Sequence, residues 1–251
     1  MVFHFSVFFW SVVFFLGLQG VILNPITLTW SWYLFAIIPL LVVAFLAANR
    51  LTGKYADAYL PGLLAVSSPI LLSFVDHPTE QQIFVFLCSG MFYFALLGIY
   101  RLRYAPNDKT AQAILSTAAM AALFFFFSGI YGFYLNFSFP LWGMMLIFFL
   151  GTALTSYETF IGVERENKRR VKIYSVLLGL MMGELVWIMS FWPFGSLTTG
   201  AIALIFYFMA WDIAFDTFRK TLSLRRAVIR MFLFSLLIIL LLVSSPWRIL
   251  V

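Results

Sequence analysis

Apolar runs of 16 to 22 residues recur nine times along the chain, and short polar connections separate them. A helix needs about 20 apolar residues to cross the hydrocarbon core of a bilayer, so each run is close to that length. Because lipid offers no hydrogen bonds to an exposed backbone, only helices and closed barrels cross it. Barrel strands alternate apolar and polar residues, and these runs do not. The pattern therefore predicts an all-α fold, a polytopic transmembrane helical bundle.

The composition agrees with a chain that lies mostly in lipid. Hydrophobic residues make up 63% of the 251 residues and charged residues only 10%, whereas soluble domains carry about 25% charged residues. The predicted spans cover residues 3–23, 31–48, 60–75, 83–100, 113–134, 141–160, 173–192, 199–217 and 229–244. We therefore expect one integral-membrane domain over residues 1–251, with no soluble domain.

The positions of the lysines and arginines predict the orientation. Fifteen of the 16 fall in alternate connections, after the second, fourth, sixth and eighth predicted spans, and only Arg248 in the C-terminal tail lies on the other side. Cytoplasmic connections carry the excess of basic residues in membrane proteins. The N-terminus is therefore predicted to be cytoplasmic and the C-terminus outside, in a cell or inner membrane. The third span, which contains Pro69, must cross the bilayer for this alternation to hold.

One carboxyl group, that of Glu184, lies inside the seventh predicted span, about eleven residues from its start. No lysine or arginine lies within ten residues on either side. Ionisation in lipid is costly, so we expect the neutral acid to dominate there. Intramembrane carboxyls commonly bind an ion, a proton or a substrate in a cavity. The alternative is a structural acid that donates one hydrogen bond to a neighbouring helix.

Two glycines, Gly179 and Gly183, precede Glu184 at the spacing of a G-x-x-x-G motif. This motif lets two helices approach closely, and we expect it to serve packing. Apolar residues three and four positions away share the helix face of Glu184, namely Leu180, Met181, Trp187 and Ile188.

Three further carboxylates are predicted at the cytoplasmic rim. Asp212 and Asp216 lie one helical turn apart near the end of the eighth span, and Glu158 lies near the end of the sixth. Two carboxylates at that spacing could bind Mg²⁺ together with a diphosphate. The favoured interpretation is that the two aspartates pair with Arg219 or Lys220, three or four residues further along the helix.

Basic residues beside the predicted spans are expected to touch anionic lipid headgroups at the cytoplasmic face. The candidates are Arg165, Lys168, Arg169, Arg170, Arg225 and Arg226. Partner membrane subunits are a second expected class of partner. Nucleic acid is not expected as a partner, because the basic residues lie directly beside the predicted spans and few aromatic residues are available to stack on bases.

The chain lacks the residue patterns of common enzymes and cofactor sites. It has one cysteine, Cys88, and two distant histidines, His4 and His77, so neither a metal site nor a bound cofactor is expected. No nucleophile, metalloprotease or phosphate-loop motif occurs in the sequence.

Three functions are compatible with these features. The first is a transporter or permease for a small or lipophilic solute that uses Glu184. The second is a non-catalytic membrane subunit or assembly factor, which the scarcity of polar residues within the spans supports. The third is an enzyme acting on a lipid-linked phosphate through Asp212, Asp216 and Glu158. The sequence ranks them in this order, with the first two close together.

Overall fold

The structure of the protein is a computed structural model, which describes residues 2–23, 30–105, 108–161, 167–218 and 223–245. Within these ranges the side chains of residues 2–4, 30–34, 56 and 226 lie outside the description. The described α-helices are α1 (Val2–Leu23), α2 (Trp30–Thr52), α3 (Tyr59–Leu72), α4 (Pro78–Tyr104), α5 (Lys109–Asn136), α6 (Leu141–Ile161), α7 (Lys168–Met189), α8 (Ser196–Phe218) and α9 (Leu224–Ser244). A short 3-10 turn, Tyr55–Ala58, precedes α3.

The predicted fold class is confirmed. Eight of the described helices are long and apolar enough to cross a membrane, and no strand occurs in the described ranges. Each predicted span falls on one helix, although several helices extend beyond their apolar run. For example, α4 begins at Pro78 and α7 at Lys168, five residues earlier than predicted in both cases. Polar residues continue these helices because the backbone hydrogen bonds of a helix persist after it has left the lipid.

The shortest helix, α3, is buried on nearly all sides. It has 14 residues, of which 12 are buried, so at 1.5 Å per residue it is only about 21 Å long. It packs against both α2 and α4. Helices that face lipid keep an exposed apolar stripe, whereas α3 is enclosed by protein.

Two contacts show that the segment containing α3 connects opposite ends of the long helices in the first unit. Arg103, near the end of α4, donates a hydrogen bond to the carbonyl oxygen of Leu51, near the end of α2, at 3.3 Å. The ends of α2 and α4 therefore lie together. Since α4 has 27 residues and is about 40 Å long, its start at Pro78 lies on the opposite side. There Gln82 exchanges hydrogen bonds with Gln19 of α1 at 2.6 and 3.2 Å.

The chain divides into two compact units, Met1–Gly129 and Ile130–Val251, whose boundary lies within α5. In the first unit α1 packs against α2 and α4, and the rings of Phe14 and Phe92 stack with their centroids 4.2 Å apart. The prediction of a single domain stays a prediction.

In the second unit α6 and α7 form the most extensive helix pair, α8 packs against α7, and α9 packs against α8. A buried core lies at the predicted cytoplasmic end of these helices. It consists of Phe160, Val171, Leu178, Ala214 and Phe218.

Candidate functional site

Glu184 lies on the face of α7 that the chain leaves exposed. Its neighbours on this face are apolar: Leu177 is 55% exposed, Leu180 49% and Trp187 48%. The carboxyl group of Glu184 makes no hydrogen bond or ion pair with any residue that the structure describes. The predicted neighbours on the helix are therefore correct, and the face itself points outwards. We call this surface the α7 face; it consists of Leu177, Leu180, Met181, Glu184, Trp187 and Ile188.

The opposite side of α7 packs closely against α6. A Cβ atom on Gly179 would lie 2.7 Å from the carbonyl oxygen of Phe149, and one on Gly183 would lie 3.2 Å from the carbonyl oxygen of Met145. Only glycine fits at Gly179 without a backbone shift. The expectation that the G-x-x-x-G motif serves packing is confirmed, and α6 and α7 form a tight pair that holds Glu184 outwards.

The end of α7 changes the expected depth of Glu184. The helix ends at Met189, five residues beyond Glu184, which corresponds to about 8 Å along the helix axis. With the predicted orientation, Glu184 therefore lies in the outer half of the span, whereas the sequence had suggested a position near the middle. The outer part of the α7 face carries the indole of Trp187, a side chain common near membrane interfaces.

The structure brings Asp212 and Asp216 together around one arginine of the next helix. The Nη1 atom of Arg230 donates a hydrogen bond to Oδ2 of Asp216 at 3.0 Å and another to Oδ2 of Asp212. All three side chains are partly exposed. They lie in an open groove between α8 and α9, whose other lining residues are Met209, Ile213, Ala227, Met231 and Phe234.

The predicted partners of the aspartates, Arg219 and Lys220, lie outside the described residues. Arg230 was not predicted as their partner, because it was counted with the basic residues of the connection although the ninth predicted span, 229–244, already included it; α9 begins at Leu224. A signal was present in the sequence: Asp212 and Arg230 are each nine residues from residue 221, the centre of the connection. Residues equally far from a short turn lie level in a helical hairpin.

The described residues contain no group of three or more His, Cys, Asp or Glu side chains arranged to hold a metal ion. Glu158 is exposed on the last turn of α6. Asp212 and Asp216 form an ion-paired contact with Arg230 that joins two helices. Any metal would therefore have to compete with Arg230 for both carboxylates.

The basic residues at the start of α7 differ in their surroundings. Lys168 and Arg169 are exposed, whereas the guanidinium carbon of Arg170 lies 5.7 Å from the ring centroid of Tyr174 and 5.3 Å from that of Phe218. Such cation–π contacts hold the guanidinium group against the helix end. Of the other predicted headgroup ligands, Arg225 is exposed, while Arg165 and the side chain of Arg226 lie outside the description.

Polar bonds between α6 and α8 form a feature that was not predicted. Ser156 donates to the hydroxyl of Tyr207 at 3.3 Å, and Trp211 donates to the hydroxyl of Thr159 at 3.2 Å. The sequence signal was the stretch TALTSYET at 152–159, which places small hydroxyl residues three and four positions apart in an apolar run. These two hydrogen bonds join α8 to α6.

The family model described as a protein of unknown function, DUF5656, matches residues 13–244, from within α1 to the end of α9. No curated protein and no solved structure was found to match the chain. Because the match extends over most of the sequence, the chain belongs to the DUF5656 family.

Proposed function

We propose that this multi-pass membrane protein is a non-catalytic subunit that assembles with another membrane protein through the α7 face. The observation that carries the proposal is the position of Glu184 at the centre of that face, with no partner among the described residues. A purely lipid-facing surface has no need of a carboxyl group. A surface that meets another helix gains from one, because interhelical hydrogen bonds in lipid contribute about 1–2 kcal/mol in model peptides.

The carboxyl group of Glu184 has a different free energy in lipid and against a partner helix. Exposed to lipid, an ionised side chain at the centre of a span costs about 2.5–3.5 kcal/mol, and less towards the interface. Against a partner helix that offers a hydrogen-bonding group at equal depth, an interhelical hydrogen bond offsets about 1–2 kcal/mol of that cost. Assembly therefore stabilises Glu184 more than the apolar residues around it.

The packing of α6 against α7 supports the same role. Gly179 lets the two helices approach until backbone and Cβ positions nearly touch, and the polar bonds of Ser156 and Thr159 fix α6 to α8. A partner would therefore meet a preformed surface, which lowers the entropy lost on association.

The transporter predicted from the sequence is the alternative, and the presence of a carboxyl group within the apolar helix α7 is the feature that supports it. A carboxyl that couples to a solute is expected to face a cavity or a water-filled path. In the described residues Glu184 faces outwards, so the position of this residue gives the subunit more support.

The basic residues at the start of α7 fit an accompanying role in membrane binding. Lys168 and Arg169 are exposed beside the guanidinium group of Arg170. We include contact with anionic lipid headgroups in the proposal, because each basic residue near such a surface contributes about 1 kcal/mol. This contact would fix the height of α7, and with it the height of Glu184, relative to a partner.

The test compares two substitutions at Glu184 in protein purified in mild detergent. Glu184→Gln keeps the hydrogen-bonding capacity, so the assembly should keep its mass by light scattering. Glu184→Leu removes that capacity, so the assembly should dissociate to a single chain. The matched control is Glu80→Leu, which removes another exposed carboxyl, on α4, and should leave the mass unchanged.

The proposal is overturned if wild type and Glu184→Leu have the same mass, whether both are assembled or both are single chains. A pH-dependent solute uptake in vesicles that Glu184→Gln abolishes while the mass stays the same would favour the transporter instead.

A further inference from the structure

The groove between α8 and α9 contains charges of both signs beside an apolar wall. Its charged residues are Asp212 and Asp216 on α8 and Arg230 on α9, and the other lining residues are apolar. The side chain of Arg230 is 35% exposed, that of Asp212 22% and that of Asp216 17%. The charged groups are therefore accessible to a molecule that lies against the two helices. We call this site, lined by the residues named above for it, the α8–α9 groove.

The ion pair leaves charges and hydrogen-bonding groups of this groove unused. Two carboxylates share one guanidinium group, and no other charged side chain is among the described residues that line the groove. One nitrogen of Arg230, Nη1, makes both of its hydrogen bonds. Nε and Nη2 of Arg230 and Oδ1 of Asp212 make no hydrogen bond with the residues that the structure describes. The groove therefore offers N–H donors to an anion and a carboxylate oxygen to a cation, side by side.

The position of these groups along α9 is suited to a lipid headgroup. The apolar stretch of α9 begins at Ala227, and Arg230 lies three residues further, about 5 Å along the helix axis. Side chains of a helix lean towards its N-terminus, so Arg230 can reach back towards the membrane surface, as long basic side chains near helix ends do. Met231 and Phe234 continue the groove from Arg230 towards the middle of α9. The charged part thus lies nearer the surface and the apolar part deeper.

We infer that the α8–α9 groove binds a zwitterionic phospholipid whose headgroup carries a primary ammonium group, that is, an ethanolamine phospholipid. Its phosphate accepts hydrogen bonds from Nε and Nη2 of Arg230, which are strong because both partners are charged. Its ammonium group donates to the carboxylate of Asp212 and balances the second negative charge. An acyl chain lies along Met231 and Phe234.

The same chemistry excludes the other common headgroups. A choline headgroup carries a cation but has no N–H group to donate to Asp212. A glycerol headgroup carries no cation, so the negative charge of its phosphate would lie beside two carboxylates with nothing to balance the second of them. The groove therefore selects the ethanolamine headgroup over both.

The experiment measures thermal unfolding of the full-length protein, freed of lipid in mild detergent. Phosphatidylethanolamine, phosphatidylcholine and phosphatidylglycerol with identical acyl chains are added separately at equal concentration. A ligand that binds only the folded state raises the unfolding temperature. Phosphatidylethanolamine should raise it by a few degrees, and the other two lipids should leave it nearly unchanged.

Two substitutions on α9 place the effect in the groove without changing any charge. Ala227→Phe puts a ring into the groove and should abolish the rise. Val228→Phe is the matched control, because Val228 is 57% exposed and is not among the lining residues; it should keep the rise. Asp212→Asn is the second test should Ala227→Phe itself unfold more easily. It keeps the pair of Arg230 with Asp216 but removes the carboxylate that the ammonium group needs, so the rise should shrink.

Three results would overturn the inference. Equal rises with phosphatidylethanolamine and phosphatidylcholine would mean that lipid stabilises the protein without recognition of the ammonium group. A larger rise with phosphatidylglycerol would mean that the protein prefers anionic headgroups. A full rise in both Ala227→Phe and Asp212→Asn would mean that the lipid binds elsewhere. None of these results bears on the subunit role of Glu184, which lies on another helix.

Discussion

Arg230 of α9 donates a hydrogen bond to Asp216 of α8 at 3.0 Å, and the same guanidinium nitrogen also reaches Asp212. Since α9 is the helix with the smallest buried share among the described spans, this shared ion pair is one of few specific contacts that hold it in place. Another joins Thr198 to Ser245 at the opposite ends of the same two helices, where the hydroxyl oxygens are 3.0 Å apart.

The first prediction concerns the removal of Arg230. In Arg230→Met two carboxylates one turn apart lose their shared counter-ion, so the unfolding temperature should fall, by a modest amount because all three side chains are partly exposed. The triple variant with Asp212→Asn and Asp216→Asn should recover most of the loss, because it leaves no unpaired charge. Thermal unfolding in detergent measures both. If the triple variant is no more stable than Arg230→Met, charge pairing is not what this contact contributes.

The second prediction addresses the enzyme alternative. Because Arg230 is hydrogen-bonded to both aspartates and a metal would have to displace it, Mg²⁺ with a polyprenyl diphosphate should not raise the unfolding temperature of the wild-type protein. Arg230→Met serves as the control, because it removes the guanidinium group with which a metal would have to compete. A wild-type thermal shift that Asp212→Asn and Asp216→Asn each abolish would restore the magnesium site suggested by their spacing.

The third prediction concerns the contact between α6 and α7. In Gly179→Ala the new Cβ atom would lie 2.7 Å from the carbonyl oxygen of Phe149, so the helices must separate and the free energy of unfolding should fall by about 1–3 kcal/mol. The matched control is Gly90→Ala on α4, where no atom lies within 4 Å of the new Cβ. Equal unfolding temperatures for the two variants would contradict the close packing.

The helices were predictable from the sequence because only helices carry long uniform apolar runs through lipid. The exposed face of α7 was not predictable from the sequence. In water the apolar face of a helix is the buried one, but in a bilayer the exposed Leu177 and the buried Leu178 are equally apolar, so periodicity does not distinguish them. The pairing of Arg230 was missed because its charge grouped it with the basic connection, although the ninth predicted span already included it; in the structure it pairs with two aspartates of the neighbouring helix.

The fourth prediction concerns pH and the start of α5. Asp108 accepts hydrogen bonds from the backbone N–H groups of Ala111 and Thr110 and lies 2.7 Å from a guanidinium nitrogen of Arg101. These interactions, led by the Ala111 N–H, hold the pKa of Asp108 below its ordinary value. A lowered folded pKa means that the stabilisation is fully present above about pH 4 and is lost as the pH falls through the folded value.

Asp108→Asn keeps a capping oxygen but cannot pair with Arg101, so it isolates the charge. Unfolding temperatures of wild type and Asp108→Asn should differ near neutral pH and converge as the pH falls through the lowered pKa of Asp108. A difference that is constant over this range would mean that the carboxylate charge of Asp108 does not contribute.

The fifth prediction concerns the orientation of the chain. The alternation of basic connections predicts that a reporter inserted at Asn167 lies in the cytoplasm, whereas one fused after Val251 lies outside. The hydrogen bond between Arg103 and Leu51 places the ends of α2 and α4 together. We therefore expect the chain to cross the membrane between Gly53 and His77. Paired insertions at these two positions should therefore report opposite sides, with alkaline phosphatase active only at His77 and a fluorescent protein bright only at Gly53. The same side at both positions would mean that α3 turns back, and the number of spans would then be eight.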